Sequence, residues 1–235
     1  AVTTGFSNDG LFYAATKGNS IFHVEYNLNY RNYKDCFRQN SYKYVLKGAD
    51  CLDETSGKEK FGYVTHKISL KYTYTQLDKK MFQVSFTPNA ERIFSTSNNI
   101  GIYVNGNSTL NTMSYNADKT YTFNPSVDLY YSQKFGEKNE LTANINTTFF
   151  ATNGNNNNNQ YVLPGNILFF QDEMNLKNKK TSFIGEVIYT HQIGTRNLNS
   201  GYRLDYSYLF SDLKNLKGSY NYTSNIWQQR IYAAM

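Results

Sequence analysis

The stretch Phe22-His-Val-Glu-Tyr-Asn-Leu-Asn-Tyr-Arg31 alternates without exception between apolar or aromatic and polar side chains. Successive side chains of a strand point to opposite faces. Phe22, Val24, Tyr26, Leu28 and Tyr30 therefore share one face, and His23, Glu25, Asn27, Asn29 and Arg31 the other. The alternation returns in Ile68, Leu70, Tyr72 and Tyr74 against Ser69, Lys71, Thr73 and Thr75, and then in Phe82, Val84 and Phe86 against Gln83, Ser85 and Thr87. Phe123, Val127, Leu129 and Tyr131 oppose Asn124, Ser126, Asp128 and Ser132, and Leu141, Ala143, Ile145 and Phe149 oppose Thr142, Asn144, Asn146 and Thr148. Further on, Phe183, Gly185, Val187 and Tyr189 face away from Ile184, Glu186 and Ile188, a less clean strand. Leu198, Tyr202, Leu204, Tyr206 and Tyr208 oppose Asn199, Arg203, Asp205 and Ser207.

Short polar turns join these runs in pairs at Lys17–Ser20, Gln76–Lys80, Gly136–Asn139 and Gly194–Asn197, roughly 60 residues apart, a spacing that fits short turns on one side and long excursions on the other. Runs such as Ser20–Asp35 and Lys119–Phe135 are long enough to meet the roughly 9–11 tilted residues a strand needs to cross a bilayer. The fold expected is all-β: an antiparallel transmembrane β-barrel, seen in part, with long outer loops and short periplasmic turns. A closed barrel is the form β-structure takes in lipid, because an open edge leaves backbone groups unpaired. About nine strands are read over residues 1–235, an odd number where bacterial single-chain barrels use even ones. The chain is thus expected to be a segment of one longer barrel, with no plug domain visible ahead of it. The N-terminal Ala1–Phe6 carries no basic and apolar leader pattern.

Composition agrees. The 22 Tyr and 16 Phe against 3 Pro favour pleated surfaces. Aromatic residues near strand ends, Phe149-Phe150, Tyr130-Tyr131 and Tyr206 with Tyr208, read as interfacial girdles. Four polar connections, Lys34–Lys60, Asn89–Lys119, Ala151–Lys179 and Asp212–Thr223, read as long loops, with a short strand at Ile100–Val104 and an apolar patch at Ile167–Phe170. The formal charge of +6 suits acidic surroundings such as lipid phosphates, or simply lysine-rich turns. Aromatics confined to the apolar face argue against nucleic-acid stacking, which needs rings among cations on one exposed face.

No nucleophile elbow, phosphate-binding glycine loop or zinc spacing is present, so neither an enzyme nor a metal or cofactor site is expected. The candidate site is the polar face taken as a lumen wall, with His23, Glu25, Arg31, Lys71, Asp128, Arg203 and Asp205 facing the lumen. The same residues also fit a plain hydrated face with charges paired between strands. Cys36 and Cys51 either close a disulfide across the first long connection or remain free thiols.

Asn124-Pro-Ser-Val-Asp-Leu-Tyr-Tyr-Ser-Gln-Lys-Phe-Gly-Glu-Lys-Asn-Glu-Leu141 resembles the barrel domain of TonB-dependent receptors and related outer-membrane proteins of Bacteroidetes. Glu59-Lys-Phe-Gly-Tyr63, Ile68–Pro88 and Phe22–Asp35 fit the same pattern. The resemblance implies an outer-membrane location and uptake or binding of a bulky solute, with energy supplied by a TonB-type partner acting through regions not visible here. Two other readings stand beside it. One is a structural or accessory barrel that contacts outer-membrane lipids and docks a surface lipoprotein. The other is a soluble antiparallel protein such as an adhesin.

Overall fold

Backbone pairing in a computed structural model, which describes residues 5–234, turns nearly the whole chain into strands. Ala1–Thr4 and Met235, on which part of the terminal reading rests, lie outside the described residues. The strands are β1 (Gly5–Lys17), β2 (Ser20–Leu46), β3 (Ala49–Gln76), β4 (Lys80–Thr87), β5 (Asn89–Asn105), β6 (Ser108–Phe123), β7 (Ser126–Phe135), β8 (Asn139–Leu163), β9 (Ile167–Ile193), β10 (Arg196–Asn215) and β11 (Gly218–Ala234). All pair antiparallel in one sheet.

Two pairs of strands are collinear. β3 pairs with β4 by Leu70↔Phe86 and with β5 by Lys67↔Asn89, in one unbroken register. β8 likewise pairs with β7 by Ser126↔Thr148 and with β6 by Phe123↔Ala151. β4–β5 and β6–β7 each form one course, so the eleven strands lie along nine courses. The interruptions are Pro88 and Pro125, which the flanking pairs Thr87↔Ser126 and Ala90↔Phe123 place opposite each other. Each proline still accepts a ladder bond through its carbonyl, from Ile68 N and Phe149 N respectively, both 3.0 Å. Neither can donate one back, because proline has no N–H. The two prolines remove hydrogen bonds without shifting the register.

The four polar connections expected as loops are strands instead. Lys34–Lys60 continues β2 into β3 around Lys47-Gly48, Asn89–Lys119 is β5 and β6 around Gly106-Asn107, and Ala151–Lys179 extends β8 and β9 around Pro164-Gly165-Asn166. Asp212–Thr223 turns at Leu216-Lys217. Lys47 and Gly48 both have positive φ, 50° and 82°, as a two-residue type I′ hairpin turn requires. Most of the length of these segments hides from a period-two search because polar residues stand on both faces, as in Ser95–Asn99 and Asn155–Gln160. Their ladders are made by backbone groups, which any side chain permits. The asparagine run is itself a strand: Asn155 to Asn159 pair with β6 on one side and β9 on the other.

The sheet is a single layer. Among the described residues the one buried hydrophobic side chain is Cys51, 5% exposed, and the buried polar ones are Thr112, Ser132 and Thr152. The outermost strands, β1 and β11, each pair on one side only. The described residues thus form one open antiparallel sheet, all-β as expected of part of a barrel.

Cys36 and Cys51 are free thiols. Cys36 pairs with Glu59, and Cys51 with Tyr44. Eight residues of ladder therefore separate them on the same hairpin, about 26 Å at the usual rise. A bridge requires Cα atoms within about 7 Å. Alkylation of the unreduced protein followed by mass spectrometry is expected to add two labels, Cys51 reacting more slowly than the half-buried Cys36. A single bridged species would contradict this hairpin register.

Candidate functional site

The register gathers the alternating residues into two continuous faces. Phe22 pairs with Tyr72, then Val84, Leu129 and Ile145 follow in neighbouring courses, and the row runs on through Gly185 to Leu204. One row over lie Tyr13, Val24, Leu70, Phe86 and Val127, then Thr147, and at the end Phe183, Tyr206 and Trp227. No protein layer covers this face: Phe22 is 43% exposed, Phe86 40% and Val187 45%. Folding in water would leave that area unburied, at a cost of about 25 cal/mol for each Å² of apolar surface. The rings of Tyr206 and Trp227 pack against each other, with centroids 4.3 Å apart.

On the opposite face, four of the seven sequence candidates fall in one row. His23 pairs with Lys71, Lys71 with Ser85, Ser85 with Asp128 and Asp128 with Asn146; beyond Ile184 the row reaches Asp205. At about 4.8 Å per strand it crosses roughly 30 Å of sheet. Asp128 accepts hydrogen bonds from Ser85 Oγ at 3.3 Å and from Asn146 Nδ2. His23 Nε2 lies 3.6 Å from the Glu25 carboxylate, whose other oxygen accepts from Asn27 Nδ2 at 2.7 Å. Phe12, also on this face, meets the His23 ring edge-on at 4.7 Å.

Arg203 stands in the neighbouring row, beside Glu186 and Arg230. It holds Asp205 at 3.0 Å, two residues along its own strand. Arg31 lies farther from the four short turns, over the Phe6 ring at 5.0 Å, and donates to Tyr33 Oη at 2.9 Å. The charges of this face are thus partly paired within strands, and between them lie hydroxyls and amides. Ser126, Thr148, Ser182 and Ser207 form a hydroxyl row of their own.

Sequence reasoning passed over Glu186, Tyr232, Ser85 and Asn146 as site residues. Tyr232 donates to Glu186 at 2.9 Å across two strands, and its ring lies over Gly201, where a Cβ would meet it. Alternation places each of these on the polar face, but which neighbours they meet depends on register alone. The aromatic reading also needs correction. In Tyr130-Tyr131 and Phe149-Phe150, the first and last members share the polar face with Asn144 and Lys180. Only Tyr131 and Phe149 can belong to a girdle on the apolar side.

What this arrangement can do chemically is hydrogen-bond polar groups along one continuous face. No cluster of three or more His, Cys, Asp or Glu side chains with metal-binding geometry occurs among the described residues.

No protein-family model matches the chain, and no curated protein matches it. Among solved structures it is similar to the ferric citrate transporter FecA in its unliganded form, at 10% identity and a TM-score of 0.41 over 97% of this chain and 39% of that one. It is similar also to the siderophore receptor PiuA from Acinetobacter baumannii, at 10% identity and a TM-score of 0.34 over 94% of this chain and 47% of that one. The chain spans less than half the length of either.

Proposed function

We propose that this chain is part of the wall of an outer-membrane β-barrel of the TonB-dependent-receptor kind, serving solute uptake or binding. The observation that carries the reading is the uncovered apolar face, backed across one layer of backbone by a continuous polar one. Lipid on one side and water on the other satisfies both faces without a second layer. The apolar band adjoins the four short turns. Beyond Tyr30, β2 runs on for about 50 Å to its turn, an excursion that suits the outer side.

The two open edges complete the argument. Nine antiparallel courses make the first and last run in the same direction. Closing β1 on β11 would then create a parallel pair in an otherwise antiparallel sheet. An odd number of further strands closes the barrel with antiparallel pairs throughout and leaves no edge in lipid. The TonB-type energy-coupling partner rests on the sequence resemblance, and any contact with it would lie in regions other than this sheet.

The uptake reading is tested on the polar face of the full-length protein. Arg203→Glu together with Lys71→Glu is expected to leave membrane assembly intact and to change the cation-to-anion selectivity of reconstituted protein severalfold, since wall charges set selectivity. Unchanged selectivity with normal assembly would remove the lumen from this face.

A second reading has an observation of its own. The far tips expose Val45, Leu46 and the run Ile167–Phe170, with Phe169 65% exposed. Such tips suit docking of a surface lipoprotein by an accessory barrel that does not itself transport.

A further inference from the structure

Just past the prolines, the face that is apolar nearer the short turns changes character. Arg92, Tyr121, Asn153 and Lys177 form one row on that face, and Ala90, Phe123, Ala151 and Lys179 form the row below. In the row above, Phe94 pairs with Lys119. The Arg92 guanidinium lies over both the Phe94 and Tyr121 rings, 5.5 Å from each centroid, and Lys119 Nζ is 5.1 Å from the Tyr121 ring. Gly62, paired with Phe94, makes room for that ring, since a Cβ there would strike it. Arg92, Lys119, Lys177 and Lys179 are all exposed. They fall within about 15 Å, given strands about 4.8 Å apart.

No carboxylate stands on this face between β5 and β9 in these three rows. The nearest, Asp212 on β10, lies in the row of Lys177 and is already within 3.8 Å of Lys214 Nζ. A shallow cleft of about 380 Å³ is lined on this face by Arg92, Tyr121 and Asn153 of the cation row and by Val64, His66, Ala90, Phe123 and Ala151. A stacked guanidinium keeps its N–H edge free, which suits bidentate binding of phosphate.

We propose that this is a lipid-binding site, in which the cations hold the phosphate of an anionic lipid and the cleft takes the start of its acyl chain. The proposal rests on the membrane-wall reading and adds a ligand to its outside surface. Four cations at the level where hydrocarbon gives way to headgroups, with no acid among them, are charge-complementary to a phosphate layer. The cleft specifies an acyl chain, which a free anion lacks.

The test uses the full-length protein, first inserted into phosphatidylcholine vesicles. Failure to insert there would sink the membrane-wall reading itself, whatever the lipid site does. Detergent-solubilised protein is then titrated with dioctanoyl phosphatidic acid, dioctanoyl phosphatidylcholine and inorganic phosphate, and retained adducts are read by native mass spectrometry. Phosphatidic acid is expected to bind best, with an affinity falling about fivefold for each cation removed in Arg92→Gln and Lys119→Gln. Lys134→Gln, near the short turns, is the control that leaves it unchanged. Equal retention by the Arg92→Gln/Lys119→Gln protein would overturn the site. Binding of inorganic phosphate as tight as that of the lipid would overturn the assignment of an acyl chain to the cleft.

Discussion

Leu70→Arg or Val84→Arg is expected to block membrane assembly of the full-length protein, while Lys71→Ala and Ser85→Ala leave it near normal. Leu70 and Val84 occupy the apolar face, in rows with Phe86 and Phe22 respectively, and no protein atoms stand over that face to share the cost. An arginine there exchanges hydrocarbon contact for a charge in lipid, at about 2–4 kcal/mol near the midplane. Lys71 and Ser85 are neighbours on the opposite, polar face, where the proposed reading puts water and truncation exposes nothing to lipid. The readout is the heat-modifiable fraction on a denaturing gel after refolding into vesicles. Equal losses on both faces would mean that lipid does not wet the apolar side.

Gly57→Val should open the far part of the sheet and spare the band. A Cβ at Gly57 would stand 2.7 Å from Asn99 Cα and closer still to the Asn98 carbonyl oxygen, both backbone atoms of β5. Backbone cannot rotate away as a side chain can, so the β3–β5 ladder has to separate locally. Forcing atoms into filled space costs about 1–3 kcal/mol. Amide hydrogen exchange is then expected to speed up over Ile100–Asn105, while Phe82–Phe86 keeps its protection. Protection lost uniformly would show that band and extension unfold as one unit. Protection unchanged in both would place β5 farther from Gly57 than this register allows.

The band was legible because its chemistry repeats at the period of the strand. Phe22–Arg31 shows its two faces in ten consecutive letters, and the structure keeps every residue of those two sets on its own face. The extensions were not legible. Asn155–Asn159 is uniform, so it carries neither alternation nor a turn signal. Local signs did exist at Lys47-Gly48 and at Gly106-Asn107, dipeptides suited to tight hairpins, and they would have divided two supposed loops into strand pairs. Of the candidate site, each member was assignable to a face, but the row from His23 through Lys71 and Asp128 to Asp205 was not.

The sequence alone determined which side of each strand is greasy, because alternation is a property of neighbours along the chain. Tertiary structure decided which strands lie side by side: that β5 continues β4 along β3, that Pro88 meets Pro125, and that Arg92 and Lys177 share a row. Those facts belong to backbone hydrogen bonds between distant segments. A backbone donor or acceptor is the same at almost every residue, so the letters of one strand carry no record of its register against another.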